Sequence, residues 1–226
     1  MNAPTTRERN YRQYCGLAAA LDAVGERWTL RVVRELLLGP RRYTELLADL
    51  PGMGTNLLAD RLKKLCALGV AERFDSGSGH AYRLGPRGAE LRPTVLALSK
   101  WGVGLLGEPS EDMVTRPHWA LLAVQAMADA AVLPELRETY EFQVDDEIFH
   151  LTVAGGTVAV ERGPAAHAVL RIHTDATTFI RIGAGAVGPF EALATGMLTM
   201  SGERDAVLRC ATVLGLRDRP GSPDVR

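Results

Sequence analysis

The run from Tyr43 to Leu84 constrains this chain more than any other stretch. Two segments with helical apolar spacing, Tyr43–Asp49 and Asn56–Leu68, are joined by Leu50-Pro51-Gly52-Met53-Gly54, a breaker-rich link long enough only for a turn. Leu58, Leu62 and Leu65 form the apolar stripe of the second segment, and Thr55 can cap it. Gly69 stops that helix. Two short alternating strands follow, Val70–Phe74 and His80–Leu84, with the flexible turn Asp75-Ser76-Gly77-Ser78-Gly79 between them.

Upstream, Cys15–Val24 and Trp28–Leu38 show helical spacing, and Gly39-Pro40 ends the second of them. Downstream, Pro86-Arg87-Gly88 leads to a long helix over Leu91–Leu106. Helices, a hairpin and a closing helix in this order make a winged helix-turn-helix. Such a pair lays its second helix in the major groove, so that helix needs an apolar back and a polar front. The leucines supply the back. Thr55, Asn56, Arg61 and Lys64 supply the front, with Lys63 beside them. Asn pairs with adenine and Arg with guanine, while Lys and Thr reach phosphates. Arg41 and Arg42 precede the first helix of the pair and suit phosphate contact. Arg73, His80 and Arg83 put cations on the hairpin, where a narrow, strongly negative minor groove attracts them.

The charge distribution agrees. Residues 1–107 hold 16 Lys/Arg against 10 Asp/Glu, and residues 108–226 hold 10 against 17, although the whole chain nets −1. A basic half followed by an acidic half suggests two jobs, the first directed at a polyanion. An ordinary solvated surface is the competing reading of any single cation.

The second half has a different grammar. The polar, proline-flanked segment Gly107–Pro117 reads as a linker. An apolar helix is expected over Trp119–Val132, then strands over Thr139–Val144, Ile148–Val153 and Thr157–Glu161, parted by Asp145-Asp146 and Gly155-Gly156. A fourth strand, Val169–Thr174, two short helices (Asp175–Ile182 and Pro189–Thr195), a fifth strand (Leu198–Ser201) and an amphipathic helix (Glu203–Leu214) complete it. The chain is expected to fray from Arg217.

Enzymatic chemistry finds no foothold. His118, His150, His167 and His173 form no i,i+4 pair with a converging carboxylate, so no metal or other cofactor is expected. There is no nucleophile elbow and no phosphate loop. Gly183–Gly188 is glycine-rich but follows a short helix rather than a strand, which rules it out as a dinucleotide loop. The three cysteines are scattered, against a disulfide framework or zinc cluster. No apolar run of 18 residues exists, and Met1–Tyr14 is polar, so a cytoplasmic protein without a membrane anchor is expected.

Residues 14–106 also resemble the HxlR-type winged-helix regulators, relatives of the MarR regulators. The residues that carry the likeness are Cys15, Gly25-Glu26-Arg27-Trp28-Thr29-Leu30, Arg34-Glu35-Leu36-Leu37, Gly39-Pro40-Arg41-Arg42-Tyr43 and Glu45-Leu46. They continue with Pro51–Leu58, Arg61-Leu62, Leu65, Gly69-Val70, Arg73, Tyr82, Leu84, Gly88, Leu91 and Trp101-Gly102. The family's wing usually carries prolines and an arginine where this chain has Gly77-Ser78-Gly79-His80. The resemblance implies a homodimer on a near-palindromic site in double-stranded DNA, acting as a transcriptional regulator such as a repressor. Cys15 coincides with a cysteine that serves as a thiol sensor in some members, and Arg12 stands one turn away. A small hydrophobe at a dimer interface is the other reading of Cys15, while Cys66 and Cys210 read as packing.

Residues 117–216 resemble the sterol-carrier-protein-like domain. The likeness rests on Tyr140–Val144, Phe149–Val153, Gly155–Val160, Val169–Thr174, Ile182–Gly188 and Gly196–Gly202. It implies a sheet sandwiched against helices around an apolar tunnel, and so a hydrophobic small-molecule effector. Trp119, Leu122, Met127, Phe142, Phe149, Phe179, Ile182, Phe190, Leu193 and Met197 are the candidate lining, with plain core packing as the alternative. The expected fold class is α+β, a winged helix-turn-helix domain over residues 1–107 followed by an α/β-sandwich sterol-carrier-like domain over 117–216. The expected function is a ligand-modulated DNA-binding regulator and not an enzyme. A Cys15 thiol-sensing repressor, or a hydrophobic-ligand binding protein with a helical dimerisation scaffold, are the alternatives.

Overall fold

The computed structural model describes residues 10–77, 79–110 and 112–216. Ser78 of the wing turn, Glu111 of the expected linker and the expected fraying from Arg217 lie outside the described residues. The chain divides into two compact units, one up to Val95 and one from Leu96, so the expected linker falls inside the second unit.

The first unit runs α1 (Gly16–Val24), α2 (Thr29–Leu37), β1 (Arg41–Arg42), α3 (Tyr43–Asp49), α4 (Thr55–Ala67), β2 (Ala71–Asp75), β3 (His80–Leu84), α5 (Pro86–Ala89) and the start of α6 (Arg92–Val103). Every helix and strand expected here forms. Three details differ. Arg41–Arg42 is a short strand that pairs antiparallel with Tyr82 and Ala81 of β3, so the sheet order is β1-β3-β2. A two-residue strand leaves no periodicity to read. The long closing helix is preceded by the separate turn α5, which starts at Pro86. Gly54 rather than Thr55 occupies the N-cap of α4, and no side chain caps that end.

An apolar cluster of buried residues holds this unit. Val32, Val33 and Leu36 of α2, Leu46 of α3, and Leu58, Leu62 and Leu65 of α4 are almost fully buried. Each such leucine contributes on the order of 1.5–3 kcal/mol by leaving water. α1 stands apart from this core. Only Ala18 of it is buried, while Leu17 and Leu21 are 68% and 39% exposed.

The second unit contains α7 (Trp119–Met127), a 3-10 turn (Ala130–Val132), β4 (Arg137–Val144), β5 (Glu147–Ala154), β6 (Thr157–Arg162), β7 (Leu170–Thr174), α8 (Ala176–Gly183), α9 (Pro189–Ala194), β8 (Leu198–Gly202) and α10 (Arg204–Val213). The helix expected over Trp119–Val132 is broken: Ala128 turns extended at ψ 128°, and Asp129 accepts from the Ala131 amide at 2.9 Å. An Asx turn of this kind competes directly with continued helix. The sheet order is β6-β5-β4-β7-β8, antiparallel throughout except for β4 beside β7. Both expected hairpin turns use left-handed residues, Asp145 at φ 49° and Gly155-Gly156 at 58° and 72°.

Alternation makes the sheet one-sided. Tyr140, Phe142 and Val144, with Phe149, Leu151 and Val153 and then Leu170 and Ile172, are buried on one face. The other face is polar, with Glu141 paired to Arg171 at 3.2 Å and His150 to Glu161 at 3.4 Å. An antiparallel meander with one wet face is the expected economy for such a sheet.

Two glycines make a stability test. A Cβ on Gly88 would sit 2.0 Å from the Val70 carbonyl oxygen, whereas one on Gly102 would meet nothing within 4 Å. Gly88→Ala should lower the unfolding free energy by about 1–3 kcal/mol. Gly102→Ala, within α6, should leave it unchanged or raise it by roughly 0.5–1 kcal/mol. Urea unfolding of both variants checks this, and equal midpoints would contradict the close approach of α5 to the β2 entry.

Candidate nucleic-acid interface and apolar cavity

α3 and α4 are locked together at their N-termini. The Tyr43 hydroxyl donates to the Thr55 carbonyl at 2.6 Å, and the Glu45 carboxylate accepts from the Arg42 amide at 2.6 Å. Between the helices, Met53 is buried and Gly52 takes φ 85° beside the Trp28 ring. A left-handed residue there lets the chain turn sharply enough to aim α4 outward.

With Leu58, Leu62 and Leu65 held inward, the front of α4 consists of Thr55, Asn56, Ala59, Asp60 and Lys63, all exposed. Arg61 and Lys64 were expected on that front and lie on a flank instead. Arg61 forms an ion pair with Glu26 and is only 18% exposed. Lys64 donates to the Asp22 carbonyl at 2.7 Å and lies 3.3 Å from Glu26. The α1–α2 turn therefore takes up both cations. Sequence spacing put these residues on the front and held no sign that Glu26 would reach them.

The other expected contacts divide in the same way. Arg73 and His80 are exposed and share one face of the hairpin. Arg83 is on the opposite face, 3.0 Å from Glu72 and stacked over Phe74 at 5.2 Å. Arg42 is exposed, while Arg41 is half-buried and 3.8 Å from Asp49. The wing turn is short and closed on itself: the Ser76 amide and hydroxyl both donate to the Gly79 carbonyl, at 2.8 and 2.7 Å.

In the second unit the helices and the inner sheet face enclose an apolar cavity of about 90 Å³. Of the ten expected lining residues, Met127, Phe142, Phe179, Ile182 and Phe190 line it. The other five do not. Phe149 packs behind Phe142, its ring centroid 5.2 Å away, and Leu122 is core. Trp119 and Met197 are half-buried elsewhere, and Leu193 is exposed. Leu170, Ile172, Leu198, Met200 and Cys210 complete much of the wall. Alternation in β7 and β8 was the signal for the first four. Among the described residues no charged side chain lines the cavity. Burial, and then the charge of Glu138, push the Cys210 thiol up to about 12, so it stays protonated and inert at neutral pH.

Cys15 differs. It is exposed at the N-terminus of α1, and the amides of Ala18 and then Leu17 hold its thiol below the ordinary value. Half-buried Cys66 is raised by burial.

Residues 23–109 match the HxlR-like helix-turn-helix family, and residues 120–215 match the SCP-2 sterol transfer family. The uncharacterised HTH-type transcriptional regulator YvaP of Bacillus subtilis is 34% identical over 85 residues, 36% of this chain and 79% of that relative. This chain belongs to the HxlR-like helix-turn-helix family. An uncharacterised HTH-type transcriptional regulator of Mycobacterium tuberculosis is 36% identical over 102 residues, 44% of this chain. The chain spans 64% of the length of that relative. Among solved structures, a MarR-family transcriptional regulator from Enterococcus faecalis is 30% identical, covering 38% of this chain and 81% of its own, with a TM-score of 0.35. The HxlR-like match covers the helices and wing described above, and the sterol-transfer match covers the one-sided sheet with its helices. Among the described residues no helix is long and apolar enough to cross a membrane.

The three thiols of this HxlR-like protein should react in a fixed order. N-ethylmaleimide on the folded protein is expected to label Cys15 first, Cys66 more slowly, and Cys210 only after unfolding. The Cys15 rate should rise with pH through a midpoint below the ordinary 9.0, because its thiolate is stabilised by the α1 amides. Mass spectrometry of timed digests reads the order, and early labelling of Cys210 would contradict its burial.

Proposed function

We propose that the chain is a DNA-binding transcriptional regulator that binds a near-palindromic operator as a homodimer and is modulated by an apolar small molecule in its C-terminal domain. The observation that carries the reading is α4: a leucine back in the core, an exposed front of Thr55, Asn56 and Lys63, and a cationic hairpin beside it. In this reading Asn56 and Thr55 meet base edges, and Lys63, Arg42, Arg73 and His80 meet phosphates. Arg41 and Arg83 support them from the flanks. Arg61 and Lys64 join only by exchanging Glu26 for phosphate oxygen.

Dimerisation is supported by unpartnered apolar side chains: Leu17 and Leu21 on α1, and Leu98 and Trp101 on α6, at 47% and 66% exposure. Patches of this kind on a soluble chain usually mark an interface. The two functional domains are then residues 1–107 and 117–216. The apolar cavity supports the effector, since a site without charge favours a ligand it can desolvate cheaply. An effector acts only if it prefers one dimer geometry over another.

The test is fluorescence anisotropy on duplex DNA from the chain's own upstream region and on a shuffled duplex. Asn56→Ala should cost about 1–3 kcal/mol on the upstream duplex alone, and Lys63→Ala should weaken both equally. Equal binding of wild type and Asn56→Ala to both duplexes would favour the rival reading, a hydrophobic-ligand carrier with a helical scaffold.

Exposed Cys15, with its lowered thiol, favours a second reading as a thiol-sensing repressor. Diamide should then change DNA affinity in wild type and leave Cys15→Ser unchanged. An identical response from both proteins would remove Cys15 from the mechanism.

A further inference from the structure

The α1–α2 turn and the first turns of α2 carry a second group of cations that the recognition-helix reading leaves unused. Arg31 lies over the Trp28 ring, its guanidinium carbon 4.4 Å from the centroid, and Arg27 lies 5.9 Å from the same centroid. Arginine stacks on indole both as a cation and as a planar group, so Trp28 fixes the direction of these side chains. Arg34, one turn further along α2, is bound by the buried carboxylate of Glu35, with 2.8 Å from its Nε. Among the described residues neither Arg27 nor Arg31 has an ion-pair partner. Partial burial, and then the like charges of Arg34 and Arg27, lower Arg31 from the usual arginine value. The Glu35 carboxylate offsets part of this charge and acts against the lowering, so the cations left to meet an outside anion are Arg27 and Arg31.

The position of this group is fixed by three contacts. Trp28 packs beside Gly52 in the α3–α4 turn, where a Cβ would lie 3.7 Å from the ring. Glu26, two residues before Trp28, pairs with Arg61 and Lys64 on α4. The Tyr43 hydroxyl ties the start of α3 to the Thr55 carbonyl at the start of α4. Trp28 therefore holds Arg27 and Arg31 beside the α3–α4 turn, which leads into the end of α4 that enters the groove in a helix-turn-helix. Groups flanking that end face the sugar-phosphate wall rather than base edges.

We propose that Arg27 and Arg31, held by Trp28, clamp a DNA backbone phosphate at the edge of the groove that α4 enters. The clamp rests on the DNA-binding reading above. It takes over the phosphate role that Arg61 and Lys64 give up to Glu26. Because it touches no base, it contributes affinity without sequence preference.

The experiment measures binding of full-length wild type, Arg31→Gln, Arg31→Lys and the double variant Arg27→Gln/Arg31→Gln to upstream and shuffled duplexes across a salt series. Each phosphate contact contributes about 0.9 to the slope of log K against log salt. The double variant should lose about 0.9 from the slope on both duplexes, with the preference for the upstream duplex unchanged. Arg31→Lys should keep most of the slope, since a lysine serves a phosphate as a point charge. Circular dichroism melts of each variant separate a folding defect from lost contact. A full wild-type slope in the double variant overturns the clamp while leaving DNA binding intact. A lysine variant as weak as Arg31→Gln assigns Arg31 a packing role and overturns it too. Absence of binding by wild type to either duplex overturns the clamp together with the DNA-binding reading.

Discussion

What α4 can offer a partner is decided by how it is held from behind. Leu58, Leu62 and Leu65 lie at zero or near-zero exposure against α2 and α3, and this burial sets the rotation of the helix about its axis. Successive residues are about 100° apart, so fixing the leucines also fixes Asn56, Ala59, Asp60 and Lys63 outward. Arg61 and Lys64 are placed between the two faces by the same arithmetic. Their long side chains then choose between solvent and the nearest carboxylate, and Glu26 takes both. Truncating Leu62 would cost about 2–5 kcal/mol and would also release the rotation on which the polar front depends.

Much of this was legible in the sequence because the deciding signals are local. The leucine spacing in Thr55–Ala67, the breakers at Leu50–Gly54 and the Gly/Ser turn after Asp75 each define their own element. The front of α4 followed for Thr55 and Asn56. It failed for Arg61 and Lys64 because their partner Glu26 lies far away in sequence, with 38 separating it from Lys64. Spacing along one helix carries no information about such a pair. β1 escaped for a related reason, since two residues pairing across to β3 leave no period.

The second unit shows the complementary case. Its strands and turns were readable from alternation and from the Asp-Asp and Gly-Gly pairs, and its one-sided sheet follows from the same alternation. The cavity wall was half readable. Large aromatics drew attention, yet Phe149 stacks behind Phe142 instead of facing the space. The wall is completed by modest aliphatic residues of β7 and β8, which become neighbours only because β7 returns in parallel beside β4. Crossover topology of that kind is a property of the whole unit.

The two units put opposite electrostatics to use. The cavity carries no charge, and its lone thiol is kept protonated by burial, so what it favours is decided by apolar area and shape. In the winged unit the cations are plentiful and the question is which are free. Intramolecular carboxylates hold Arg34, Arg41, Arg61, Lys64 and Arg83. Each such pair lowers the general attraction for polyanions, because a phosphate must displace a partner already in place. The exposed pairs contribute little to stability, about 0–1 kcal/mol each. Their stronger effect is on the surface charge, since they leave only a few uncompensated cations beside the polar front of α4.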